Sequence, residues 1–78
     1  MPPAKLPPLK PKHVVAALER AGFYLHHQRG SHARLLHPNY PDRRVTVPVH
    51  NKDLSPYFVK HRILKQAGLT EEEFLRLL

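Results

Sequence analysis

The chain has 78 residues, no cysteine, thirteen Lys and Arg against six Asp and Glu, and a formal net charge of +7. A chain this short makes one domain with a small core, burying about 60% of its unfolded surface, and without cysteine neither disulfides nor a zinc–thiolate site can support it. The charge predicts a polyanionic partner, whereas no apolar run approaches the ~20 residues that cross a bilayer and the proline-broken start lacks the apolar stretch of a secretion signal, so a cytoplasmic protein without membrane contact is expected.

Residues 1–10 carry four prolines and read as a flexible tail ahead of a single domain over 11–78. Pro11 suits the first turn of a helix, Val14, Val15, Leu18 and Ala21 recur at helical spacing, and Gly22 ends it. Phe23 to Arg29 reads as a strand, Gly30-Ser31 as a turn and His32 to His37 as the returning strand. Pro38-Asn39-Tyr40-Pro41-Asp42 reads as a dense loop, and Arg44 to Val47 as a third strand stopped near Pro48. Ser55 and Pro56 are an N-cap and first-turn pair for a helix reaching Ala67, with Phe58, Val59, Ile63 and Leu64 inward and Gly68 as its end. Thr70 and Glu73 have the spacing of a capping box for a last short helix, whose Phe74, Leu77 and Leu78 would fold back on the core. The order predicts an α+β domain, α-β-β-β-α, with two helices on one face of a three-stranded antiparallel sheet and a short C-terminal helix. This is the arrangement of double-stranded-RNA-binding domains.

Strand alternation assigns the two faces of the sheet. Ala33, Leu35, Val45 and Val47 must meet the helices. His32 and Arg34 then lie on the uncovered face, with Tyr24, His26 and Gln28 expected beside them from the first strand and Arg44 and Thr46 from the third. Phe23, Leu25 and His27 are assigned to the opposite side.

Gly30-Ser31-His32 places a histidine at the start of a strand, directly after a turn. Histidine can both take and give a proton near neutral pH, and RNA carries its own nucleophile in the 2′-hydroxyl. A site that cleaves RNA therefore needs little beyond a proton acceptor, a proton donor and cations around the phosphate. His32 suits the first role, and Arg29, Arg34 or a nearby lysine the last. An exposed strand histidine beside an ordinary turn is the plainer alternative. His26 and His27 are adjacent and would point to opposite faces. His26 and His32 are the nearest pair for a metal, with no carboxylate close in sequence, so no cofactor is expected.

Further segments complete a pattern: Leu18-Glu19-Arg20-Ala21-Gly22-Phe23, Gln28-Arg29-Gly30-Ser31-His32, Val45-Thr46-Val47-Pro48, His50, Ile63-Leu64-Lys65-Gln66-Ala67-Gly68-Leu69-Thr70 and Glu73-Phe74. In order and spacing they resemble the HicA toxins, the mRNA interferases also called YcfA-like proteins. The pattern is departed from at Leu54-Ser55-Pro56-Tyr57-Phe58-Val59, which lacks the glycine usual near the start of the second long helix. The resemblance implies a double-stranded-RNA-binding fold, metal-independent endonuclease activity on mRNA, a growth-arrest role and an antitoxin of the HicB type encoded alongside. It also implies that the histidine of Gly-Ser-His, His32 here, is catalytic.

Around it, Arg29, Gly30, Ser31, Arg34 and Arg44 are candidates for RNA contact or transition-state support, as is Lys52. Tyr24 suits stacking on an unpaired base or plain packing. His50 suits a second acid–base role, a phosphate contact, or a loop histidine bonded to the backbone. The competing reading of the whole chain is a non-catalytic RNA- or DNA-binding module of the same fold.

Overall fold

A computed structural model describes residues 6–78. Helix α1 (Pro11–Arg20) starts where expected, with Pro11 in its first turn, and buries Val14, Ala17 and Leu18 along one stripe. It ends in a Schellman motif. The Gly22 N–H donates to the Glu19 carbonyl and the Phe23 N–H to the Leu18 carbonyl, each at 3.0 Å, so carbonyls left over at the helix end are satisfied. Phe23 and Leu18 are both buried there, the apolar contact that accompanies the motif.

The strands β1 (Tyr24–Arg29), β2 (His32–His37) and β3 (Tyr40–Pro48) form one antiparallel sheet in the order β1-β2-β3. The third strand is longer than the sequence predicts. The segment read as a loop over Pro38–Asp42 contracts to a two-residue turn, and Tyr40 already pairs with His37. Ring contacts stabilise this tighter course: Tyr40 lies 4.9 Å from the His37 ring and carries the Arg43 guanidinium 3.8 Å above its centroid, a cation–π contact that turn propensity alone does not register. Pro41 and Pro48 are tolerated because β3 is an edge strand. The outer edge of β3 is partly covered, since the Thr46 N–H donates to Gln66 Oε1 at 3.0 Å.

The predicted second helix is a rod of three segments: α2 (Pro56–Phe58), a π-helical turn (Val59–Ile63) and α3 (Leu64–Ala67). Ser55 caps it, its Oγ accepting from the Phe58 N–H at 3.1 Å. The wide π turn, closed by the Leu64 N–H on the Val59 carbonyl, is a departure from the uninterrupted helix expected; Val59, Ile63 and Leu64 are all buried around it. Helix α4 (Glu71–Leu77) opens on the expected capping box, with Glu73 N–H to Thr70 Oγ1 at 3.1 Å and Thr70 N–H to Glu73 Oε1 at 3.0 Å. Phe74 is fully buried, but Leu78 is 44% exposed and does not fold back as expected.

These helices pack on one face of β2 and β3 and share a single apolar core running from Leu6 to Phe74. Leu6 and Leu9 belong to it, and Leu9 forms a two-bond bridge with Leu54. The stretch from Leu6 to Lys10 is therefore part of the packed body rather than the flexible tail expected over 1–10; the rest of that tail, residues 1–5, lies outside the described residues. Among the described residues no helix is long and apolar enough to cross a membrane.

Candidate active site

The helices cover β2 and β3 but not β1, whose six residues are all exposed. The opposite face of the whole sheet is left open by the described residues. Its composition follows from register, because cross-strand partners share a face. Gly30 and Ser31 form a two-residue turn that pairs Arg29 with His32, Gln28 with Ala33 and His27 with Arg34. On the far side of β2, Arg34 pairs with Thr46 and His32 with Pro48. Gly30 has φ +58°, a left-handed conformation that costs other residues more, as a tight turn between strands requires. The turn is tied to β3 by the Val49 N–H, which donates to the Ser31 carbonyl at 2.6 Å.

This register corrects the expected faces of β1. Tyr24 pairs with Leu36 and Leu25 with Leu35, but the next pair is His27 with Arg34. His26 is an extra residue, a β-bulge on an edge strand. The bulge reverses the alternation, so Gln28 shares the helix side with Ala33 rather than lying beside His32, and His27 joins the open face it was not expected to occupy. Leu25, on the side expected to be buried, is 46% exposed because none of the described helices reaches over it.

The result is an open cleft of about 780 Å³ lined by His27, Arg29, Gly30, Ser31, His32, Arg34 and Thr46. Among the described residues no carboxylate lines it, and two guanidinium groups do. Of the residues predicted for the site, His32, Arg29, Gly30, Ser31 and Arg34 are brought together here. Tyr24 and Arg44 lie on the same face but both pair with Leu36, four residues along β2 from His32, or about 13 Å at ~3.3 Å per residue. His50 and Lys52 belong elsewhere. His50 lines a separate, smaller cleft with Lys10, Pro11, Lys12, Val49 and Asn51, and its Nδ1 accepts the Lys52 N–H at 3.2 Å. That contact shapes the loop, in keeping with the backbone-bonded alternative for His50. Among the described residues no group of three His, Asp or Glu is placed to hold a metal ion.

Two residues of the cleft are not among the site residues that the sequence predicts: His27, and Thr46, which strand alternation puts on the open face without a role. The signal for His27 was present. Counting back from the two-residue turn puts Arg29 and His27 on the face of His32, whereas counting forward from Phe23 and Leu25 puts them on the other. The two counts agree only if one residue between them is a bulge.

His37 is a structural hub. Its Nδ1 accepts the Asn39 N–H at 3.1 Å, which leaves Nε2 to donate to the Ala21 carbonyl at 3.1 Å, and its ring meets Phe23 edge-on at 5.0 Å. His37 therefore joins the sheet to the end of α1 and stands apart from the cleft.

Comparison with protein families matches residues 11–69 to a family described as HicA toxin of bacterial toxin–antitoxin. No curated protein matches the chain.

Proposed function

Since the chain belongs to the HicA family of bacterial toxin–antitoxin toxins, we propose that it arrests growth by cleaving mRNA in the cytoplasm, with His32 as a catalytic acid–base group. The observation that carries this reading is the position of His32 in an open cleft whose charged side chains, among the described residues, are two arginines and no carboxylate. Such a cleft attracts a phosphodiester, and its open shape gives a polymer access to it. Arg29 and Arg34 supply the positive charge that a pentacoordinate phosphate develops against. The 2′-hydroxyl of the RNA acts as nucleophile, so the products are a 2′,3′-cyclic phosphate and a 5′-hydroxyl, and no metal is needed.

No described part of the chain shields this cleft, so restraint of the activity falls to a second protein. We take its antitoxin, of the HicB type, to be a protein that covers the open sheet face and presents acidic groups to it.

Incubation of the purified protein with a long RNA in EDTA tests the reading. The parent should cleave, a 2′-deoxy substitution at the cleaved position should bind without being cut, and His32→Ala should lose about 10²–10⁴-fold in rate while keeping its fold and its RNA affinity. Parental cleavage by His32→Ala would overturn the assignment of His32. Binding without cleavage by the parent would favour a non-catalytic RNA-binding module, and cleavage of the deoxy substrate would point to an activated water instead.

A further inference from the structure

Cleavage by the 2′-hydroxyl needs two proton transfers on opposite sides of the phosphorus, and His32 supplies one. We propose that His27 supplies the other; this rests on the ribonuclease reading above.

His27 lies directly across from Arg34, and Arg29 directly across from His32. The four side chains form a rectangle on the open face, with the histidines on one diagonal and the arginines on the other, and all four line the same cleft. Diagonal neighbours on an antiparallel pair lie roughly 7–8 Å apart. A phosphate at the centre is thus bracketed by two imidazoles on one axis and two guanidinium groups on the other. The charged and titratable groups facing His27 are Arg34 and His32 from β2 and Arg29 from its own strand; β3 brings Thr46, without charge.

The bulge points the same way. Without His26 as an extra residue, His27 would continue the alternation of Phe23 and Leu25 and face the helix side. One residue inserted into an edge strand re-aims it into the cleft, a recurrent use of bulges beside active sites.

In the reaction, one imidazole accepts the 2′-hydroxyl proton as the 2′-oxygen bonds to phosphorus. The bond from phosphorus to the 5′-oxygen breaks, and the other ring, entering as imidazolium, gives its proton to that oxygen. The proton count of the pair is unchanged, the two rings having exchanged roles.

The test uses a chimeric oligonucleotide with one ribonucleotide at the cleaved position, bearing either the ordinary 5′-oxygen or a bridging 5′-sulfur, which leaves without protonation. His27 is exposed on an exposed strand, so His27→Ala should fold, and His27→Gln serves as a second variant of similar size. Each single variant, at His27 and at His32, should cleave the oxygen substrate about 10²–10⁴-fold more slowly. The sulfur substrate should restore whichever variant lost the acid, and only that one. The parental pH profile of kcat/KM should be bell-shaped, and each variant should lose one limb.

A His27→Ala or His27→Gln protein that retains the parental rate and both limbs overturns the proposal while leaving His32 in place. Restoration of both variants by sulfur, or of neither, overturns the pairing of roles. A parent that cleaves neither substrate removes the ribonuclease reading itself.

Discussion

Gly22 and His37 show how one residue's backbone is constrained by another's side chain. Gly22 has φ +103°, and a Cβ placed on it would lie 2.6 Å from His37 Nε2. That nitrogen cannot retreat without losing its bond to the Ala21 carbonyl. Gly22→Ala is therefore expected to destabilise the fold by about 1–3 kcal/mol, from backbone strain together with displacement of the ring. Equilibrium denaturation measures it, and unchanged stability would mean that the His37 contact contributes little. Four of the seven histidines thus differ in their surroundings. His37 is committed to the join between sheet and helix and His50 to its loop, whereas His27 and His32 line the cleft where a substrate can meet them.

Among the elements, the last helix carries a titratable group in the cap at its start. Glu73 is held below the ordinary carboxylate range, first by the Thr70 backbone N–H and next by the Thr70 hydroxyl, with Arg76 and Arg43 adding to this and desolvation opposing it. Because the folded value is depressed, the stabilisation is fully present above the unfolded value and disappears as pH falls through the folded one. The stability difference between the parent and Glu73→Gln should therefore be present at about pH 6 and vanish in acid. Thermal melts of both proteins across that range decide it, and a difference constant with pH would mean that the carboxylate charge plays no part. Thr70→Ala removes the hydroxyl acceptor and should cost about 0.5–2 kcal/mol. The capping box was legible because its residues are neighbours in sequence. The β1 bulge is also a local feature, but it becomes visible only when the turn and the apolar pattern are counted against each other.

At the scale of the molecule, the fold separates apolar packing from charge. The described helices lie on one side of the sheet, and the opposite side keeps Arg29, Arg34 and Arg44 exposed. On the proposed function, a carboxylate-bearing inhibitor would be drawn to that side by the same field as the RNA. Complex formation with the product of a neighbouring antitoxin gene should slow as salt rises, protect His27, His32 and Arg34, and abolish cleavage. Protection confined to the helical face, with cleavage undiminished, would exclude inhibition by occlusion. The acidic run Glu71-Glu72-Glu73 does not supply such an inhibitor in cis. Glu71 is paired with Lys60 at 2.9 Å, Glu72 with Arg76 at 3.0 Å, and Glu73 is engaged in the cap.

What the amino-acid sequence determined by itself is what depends on near neighbours. Helix starts at Pro11, Ser55 and Thr70, the Gly30-Ser31 turn and the inward sides of β2 and β3 all follow from spacings of a few residues, and they suffice for the order of elements. Those features place His32, Arg34 and Arg29 around one turn. Tertiary structure decided the rest, because packing and strand pairing outweigh local preference there. Leu9 is held by Leu54 despite its prolines, and His37 and Tyr40 close a shorter turn than their flanking residues suggest. His27 faces the cleft because a bulge can be accommodated on an exposed edge strand, where no core packing enforces strict alternation.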